Sequence, residues 1–380
     1  MLKNKKLKTC NKIYLDGLFY KGAGIGRYYE SLLKELAKEG VKIHTCVPLQ
    51  FKEDFKSDFE QYSENITPIY VNYSRFSNKA FWEQGRILKK LENKVFLFHF
   101  PHINLPLYIP KNLIVTIHDL RPFTEYWDRN YIKKKIYEWY FKRAIKNAKK
   151  LITDSKHIKE EILKDFPEIE FKIKVIYPFI DNKFLNKVNN KNQYNKIVTG
   201  DYILFIGSRK KHKNLSQLIY AFNSIKDSFP NLKLVIAGKK DSRVDDIDLL
   251  KEKFNIKDRL IEIISPSDEK ILCLYKYAKA FVFPSLYEGF GLPPLEAMAC
   301  GIPVIVSNIP VLKEICGDAA YFVDPYSSES IAQGIYKVLY NDNLKESLIE
   351  KGKKRINHFN SDKLINQYIK VYEETLNAKN

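Results

Sequence analysis

Short runs of β-branched and aromatic residues alternate along this chain with longer segments whose apolar positions recur every three or four residues. In the first half KIYLDG (12–17), KIHTCVP (42–48), IYVNY (69–73), VFLFHF (95–100), IVTIHD (114–119), LITDS (151–155) and IKVIYP (173–178) read as strands. Helical spacing fills 25–39, 79–92, 129–149 and 156–165. Apolar strands separated by helices indicate a parallel sheet covered on both faces. Residues 182–200 are polar, Asn-rich and poorly periodic, and read as a linker. The alternation restarts with strands at 202–207, 233–238, 260–264, 280–284 and 303–307, and helices at 214–226, 267–279, 293–300 and 327–341. A last amphipathic helix, 361–377, aligns Leu364, Ile365, Tyr368, Ile369 and Tyr372. The pattern predicts an α/β chain of two doubly wound units in tandem. A ligand of such a pair belongs at the carboxyl ends of the strands, in the cleft between the units.

Length agrees, since 380 residues suffice for two buried cores. No apolar run reaches the roughly 18–20 residues that span a bilayer, and MLKNKKLKTCNK lacks the apolar stretch of a secretory signal. Five scattered cysteines (10, 46, 273, 300, 316) form no CxxC pair, which suits reduced thiols in a cytoplasm and argues against zinc. The net charge is +19, and residues 1–190 hold 36 Lys+Arg against 22 Asp+Glu, so most of the excess lies there. That surplus fits an anionic partner (nucleic acid, anionic lipid or a phosphorylated substrate) and equally a Lys-rich solvated surface.

The most informative stretch is SLYEGFGLPPLEAMACG, 285–301, where Glu288 and Glu296 bracket a Gly/Pro corner. AFVFP supplies the preceding strand, Pro293–Pro294 suit the first turn of a helix, and Gly301 suits a left-handed cap at its end. EGFGL is then a strand-to-helix loop on the ligand side of a parallel sheet. Its glycines admit a ligand close to backbone, and the unpaired amides at the helix start attract anions or hydroxyls. Both carboxylates can face one cleft and accept from neighbouring hydroxyls of a polyol. Taken singly, Glu296 also fits a first-turn acid and Glu288 a surface loop residue.

The whole block resembles the E-x7-E signature of the GT4 family (glycosyl transferases group 1), retaining glycosyltransferases of the GT-B fold: two Rossmann-like domains with an interdomain cleft. GAGIGRYYESLLKEL (22–36), VTIHDL (115–120), LFIGSRKKHKNLSQLIYAF (204–222), DEKILCLYKYAKAFVFPS (268–285) and GDAAYFVDP (317–325) are similar to family blocks in the same order. The resemblance implies an N-terminal acceptor-side domain over 1–185, a nucleotide-sugar donor domain over 186–360, and a C-terminal helix, 361–380, crossing back to the first. It implies that Lys213 faces the donor diphosphate, with Arg209 as the accompanying arginine, although His212 directly precedes Lys213. Glu296 then takes the nucleotide ribose and Glu288 the donor sugar, supported by loop amides of Phe290, Gly291 and Leu292. His118, at a strand end, is expected beside the donor sugar, and Gly24 and Gly26 beside the donor phosphates. The glycine loop lacks the third glycine of a dinucleotide fingerprint, which argues against NAD.

The expected reaction is retaining, metal-independent hexosyl transfer from a nucleoside diphosphate to a glycan or lipid-linked oligosaccharide in polysaccharide biosynthesis. HDLRPFTEYW is similar to mannosyl-transferring relatives, so GDP-mannose is the first expectation for the donor. No cofactor beyond this co-substrate, no metal and no nucleic acid are expected. Asp246-Ile-Asp248 mimics a DxD metal motif but opens a helix, where acids complement the dipole. No nucleophile is assigned: a carboxylate nucleophile and front-face attack in an ion pair both remain. Residues 131–150 carry eight Lys/Arg and one Glu among five aromatic residues, with Ile132, Ile136, Tyr140 and Ala144 on one stripe. That segment fits either a basic interfacial helix on an anionic membrane, at the cytoplasmic face, or a domain helix packed by its stripe. A non-catalytic nucleotide-sugar or nucleic-acid binder is the rival from another class; a sugar phosphorylase or nucleotide-sugar epimerase is the rival within the fold.

Overall fold

The computed structural model describes residues 12–22, 24–127, 130–186, 195–240 and 246–377. The chain divides into two compact units, residues 1–179 with 360–380, and residues 180–359.

Unit 1 is built on seven parallel strands: β1 (Lys12–Leu15), β2 (Lys42–Pro48), β3 (Ile66–Val71), β4 (Leu97–Phe100), β5 (Leu113–Ile117), β6 (Lys150–Thr153) and β7 (Ile173–Val175). Their order is β3-β2-β1-β4-β5-β6-β7, so the direction of winding reverses between β1 and β4. The central strands β4 and β5 bury every residue, which is why their sequences are mostly apolar and do not alternate; the polar exceptions, His99 and Thr116, bond to each other at 2.8 Å. β3 begins three residues earlier than its apolar run suggests, and it contains Pro68. An edge strand tolerates proline because one side of its ladder is unpaired. The covering helices are α1 (Gly24–Lys38), α2 (Lys52–Phe59), α3 (Asn78–Leu91), α4 (Tyr131–Asn147) and α5 (Lys156–Asp165). Three start on side-chain caps: Ser77 accepts from the Ala80 amide at 3.0 Å, Asn130 from Lys133 at 3.0 Å, and Ser155 from Ile158 at 3.2 Å.

Unit 2 has six parallel strands: β8 (Tyr202–Ile206), β9 (Lys233–Gly238), β10 (Leu260–Ile264), β11 (Ala280–Phe283), β12 (Val304–Ser307) and β13 (Tyr321–Val323), in the order β10-β9-β8-β11-β12-β13. Its helices are α6 (Asn182–Asn186), α7 (Leu215–Ile225), α8 (Ile247–Lys253), α9 (Asp268–Tyr277), α10 (Leu292–Ala299), α11 (Pro310–Cys316), α12 (Ser328–Tyr340) and α13 (Asp342–Arg355). The final helix, α14 (Ser361–Asn377), packs in unit 1. Its Tyr372 hydroxyl meets His99 Nδ1 at 2.7 Å and its Tyr368 hydroxyl donates to the Tyr28 hydroxyl at 2.9 Å, all within the core.

Residues 182–200 depart from the polar linker their composition predicts. Asn182–Asn186 is helical, Phe184 is buried edge-on against Tyr275 at 5.9 Å, and Val198 is buried; 187–194 lie outside the described residues. Two apolar anchors in an otherwise polar stretch carry no periodicity, yet they suffice to pin the segment. β13, α2, α11 and α13 also escape a periodicity reading: the first is a three-residue edge strand, α11 is only seven residues long, and α2 and α13 bury two residues each.

Candidate functional site

In unit 2 the winding reverses between β8 and β11, and the loops leaving those two strands carry the chemistry. Beside the first loop Gly238 holds φ +143, and a Cβ there would lie 2.0 Å from the Gly207 carbonyl oxygen. The loop continues through a short turn, Lys211–Lys213, to Asn214 at φ +61. It is laced to its neighbour: the Leu286 amide donates to the His212 carbonyl at 2.7 Å, and Asn214 Nδ2 donates to the Pro284 and Pro325 carbonyls at 3.0 and 2.6 Å. This lacing sets Lys213 Nζ 2.5 Å from Glu288 Oε1, above the Phe283 ring at 5.0 Å. Both side chains are mostly shielded from water, so the pair attracts more strongly than a surface salt bridge while one edge stays accessible.

The second loop turns into α10 through Gly291 at φ +114, with Leu292 first in the helix and Pro293 in its first turn. Phe290 is buried edge-on to Phe359 at 5.8 Å, which fixes the loop. Glu296, one turn on, is only 3% exposed and accepts from the Tyr275 hydroxyl at 3.0 Å. It is therefore neither a solvated acid nor a simple dipole partner. Gly301 adopts φ +72 just past the helix end, the left-handed cap its position predicts.

Arg209 is drawn elsewhere. Its guanidinium, 1% exposed, meets Glu262 Oε2 at 2.5 Å, and Lys251 binds the other carboxylate oxygen. Burial raises the Glu262 carboxyl, but hydrogen bonds and charge from Lys251 and Arg209 outweigh it and hold it below its ordinary range. The structure thus joins Lys213 to Glu288 and commits Arg209 to β10. An acid interrupting the apolar run LIEII was the available sign, since a carboxylate largely shielded from water needs a partner.

In unit 1 His118 follows β5. Its Nε2 lies 2.9 Å from the Pro101 carbonyl, which only accepts, so Nε2 carries a hydrogen; its Nδ1 lies 2.6 Å from Asp154 Oδ2. Burial pulls the imidazole pKa down, but the charge and hydrogen bond of Asp154, helped by the Pro101 carbonyl, outweigh it and raise the value. The Tyr28 ring packs edge-on against the imidazole at 4.7 Å. Of the two glycines in the first loop, Gly24 opens α1 with open space around it, whereas a Cβ on Gly26 would strike the Phe19 carbonyl at 2.5 Å. Gly26 therefore permits loop packing. Asp154, Tyr275 and a second buried pair, Asp16 with His102 Nε2 at 2.7 Å, escape sequence reading because each stands singly at a strand end or on a helix. His102 Nδ1 accepts from the Asn104 amide at 3.1 Å, so its hydrogen sits on Nε2, toward Asp16. Asp16 also accepts from the Tyr14 hydroxyl at 2.7 Å and from the Gln84 amide.

Asp248 of the DxD-like stretch is exposed, 3.6 Å from Lys240. Among the described residues no three His, Cys, Asp or Glu side chains converge as a metal-ligand group.

With this geometry in hand, the comparisons with known proteins fall into one family. Residues 186–355 match the model for glycosyl transferases group 1, and residues 22–184 that for glycosyltransferase family 4. The chain is 32% identical over 259 residues to the O-antigen chain mannosyltransferase RfbU of Salmonella typhimurium, covering 68% of this chain and 69% of that one. It is 28% identical over 291 residues to the O-antigen chain mannosyltransferase B of Escherichia coli, 74% of each. Among solved structures it superposes on sucrose-phosphate synthase from Thermosynechococcus elongatus with TM-score 0.78, at 19% identity, over 97% of this chain and 100% of that one. Anabaena HepE in complex with UDP and glucose follows at TM-score 0.74, 14% identity, and 96% and 100% coverage. The chain belongs to the group 1, family 4 glycosyltransferases, and its two parallel-sheet units are those of the GT-B fold.

Proposed function

We propose that the protein transfers mannose from GDP-mannose, with retention and without a metal, to a glycan or lipid-linked glycan during surface polysaccharide synthesis at the cytoplasmic face of the membrane. The Lys213–Glu288 contact at the switch point of unit 2 carries this reading. A departing nucleoside diphosphate develops negative charge, and an ammonium beside a helix start stabilises it; removing one such donor typically costs 10²–10³ in rate. Lys213 and the first amides of α10 fill that role, supplying the charge that a divalent ion brings in other transferases. Glu296, held by Tyr275, receives the ribose hydroxyls, and Glu288 a hydroxyl of the sugar. Retention then proceeds by front-face attack, with the leaving phosphate taking the acceptor proton. No cofactor beyond the nucleotide sugar is required. Mannose is supported by the mannosyltransferase names of both curated relatives; HepE, crystallised with UDP and glucose, supports a nucleotide-sugar donor in general.

The test is a panel of nucleotide sugars scored for thermal stabilisation in EDTA and then for transfer. A ligand at about 100 Kd stabilises by about 2.7 kcal/mol, so the true donor stands out. GDP-mannose should raise the melting temperature most, with EDTA having no effect. Stabilisation by a UDP sugar alone would overturn the donor, and dependence on added Mg²⁺ or Mn²⁺ the metal-free chemistry.

A further inference from the structure

Helix α4 does not follow the packing that its stripe suggests along its whole length. Its second half enters the core through Phe141, Ala144 and Ile145. Its first half does the reverse: Tyr131, Ile132, Ile136 and Trp139 are 70, 68, 51 and 49% exposed. The segment leading into α3 adds Phe76, 65% exposed, and Trp82 on α3 itself is exposed as well. Between the two elements lies a groove of about 510 Å³ lined by Phe76, Phe81, Tyr131, Ile132, Ile136 and Trp139. Isolated exposed apolar residues are ordinary, but a contiguous set on two elements marks an interaction surface.

The patch is held in shape from beneath. Arg143 lies under the Phe81 and Trp139 rings, 5.6 and 5.3 Å from their centroids, and donates to the carbonyls of Leu105 and Leu107 at 2.9 and 2.5 Å. Phe76 stands at φ +63, a left-handed backbone that bulky residues rarely adopt, and so presents its ring outward. Lys135 lines the groove beside the rings, and the same two helices carry further exposed cations: Lys79 on α3, and Lys133, Lys142 and Lys146 on α4. The acids on these two elements near the patch are Glu83 and Glu138, and Glu138 is already bound to Lys135 at 2.9 Å. Apolar anchors ringed by lysines match the headgroup layer of an anionic bilayer, where aromatic and aliphatic side chains insert and each lysine gains from the surface potential. A second copy of this chain would bring lysines against lysines.

We propose that this face of unit 1 seats on an anionic lipid surface, with Ile132, Ile136, Trp139, Tyr131, Phe76 and Trp82 entering the interfacial layer. The inner side of α4 ties the same helix to the candidate site, because the Tyr137 hydroxyl donates to the Asp119 carbonyl at 3.1 Å, next to His118. A helix resting on lipid therefore also braces the histidine turn. The purpose of this arrangement rests on the proposed transfer to a lipid-linked acceptor; the binding itself does not.

The experiment is co-sedimentation of the full chain with vesicles of phosphatidylcholine, with and without phosphatidylglycerol, alongside donor turnover with a water-soluble acceptor. Wild type should bind the anionic vesicles at least about ten-fold more tightly than neutral ones, and high salt should erase most of that difference. Ile132→Glu with Ile136→Glu should weaken binding by about ten-fold or more, and Lys133→Glu with Lys142→Glu should remove the preference for anionic lipid. All four positions are exposed, so melting temperature and soluble turnover should stay at wild-type values. Equal sedimentation of wild type and the isoleucine variant would overturn the proposal. So would a wild-type dimer, without vesicle binding, that the isoleucine variant splits, since the face would then join two copies of the chain. Failure of the soluble turnover assay alone would count against sugar transfer and leave the vesicle result standing.

Discussion

The carboxyl edges of the two sheets solve opposite problems. In unit 1 the edge is closed on itself: Asp16 binds His102, Tyr14 and Gln84, and both nitrogens of His118 face acceptors. In unit 2 the edge holds a lysine and a glutamate that satisfy each other and little else, beside a helix start and a glycine turn. A closed network preorganises a group, fixing the orientation of an imidazole and favouring its protonated form before any ligand arrives. An ion pair at a loop edge is exchangeable, because a diphosphate can replace the carboxylate at Lys213 with more charge. The comparison assigns rigidity to one unit and ligand capture to the other.

The sharpest challenge to that assignment is Lys213→Ala, with Glu288→Ala beside it. Each should lower transfer by about 100-fold or more while circular dichroism shows a folded chain; a loss under about three-fold would end the ligand-capture reading of this edge. Next in size is Asp154→Asn. The pKa of His118 is raised in the folded state, so its protonation contributes stability in full below the unfolded histidine value of about 6.5 and loses it as pH rises through the raised value, while burial raises the Asp154 carboxyl and offsets part of that gain. The variant should therefore be destabilised by about 3 kcal/mol near pH 6 and by less at higher pH. Its His118 ring, followed by NMR, should titrate lower than in wild type. A destabilisation independent of pH would mean that Asp154 acts through packing.

Glu296→Ala should weaken nucleotide binding by about ten-fold, and Tyr275→Phe by about three-fold, because the phenol only orients the carboxylate; isothermal titration with the donor nucleotide reads both. If the phenylalanine variant lost as much as the alanine one, Tyr275 itself would touch the ligand. The smallest catalytic effect is expected for Arg209→Ala, which frees Glu262 and leaves Lys251 as its partner. It should lower the melting temperature yet change transfer by less than about three-fold, since the proposed exchange is at Lys213. A loss equal to that of Lys213→Ala would show that the guanidinium leaves Glu262 for the diphosphate, restoring the role that family resemblance assigns to it.

Much of this was legible in advance. Both sheets announced themselves because central parallel strands are apolar on both faces, and α10 because proline, a leucine-alanine run and Gly301 mark its start, body and end. Motif resemblance singled out Glu288 and Lys213, but not their contact across 75 residues. Arg209 illustrates the other direction. Local sequence put four cations in one loop, and nothing within that loop showed that Glu262, two strands away on β10, would take one of them. Helix α4 shows the same gap in apolar residues: its stripe is continuous in sequence, yet half of it meets the core and half meets solvent.

Periodicity, chain length and the Gly/Pro corner were enough to define two α/β units and the loops on which a ligand depends, because backbone sterics and strand burial act within a few residues. Which lysine finds which carboxylate, which histidine is set against a carboxylate, and which apolar face stays uncovered were settled by packing between elements far apart in the chain. Charge pairing depends on distance in space and on exclusion of water, and neither is written in local order.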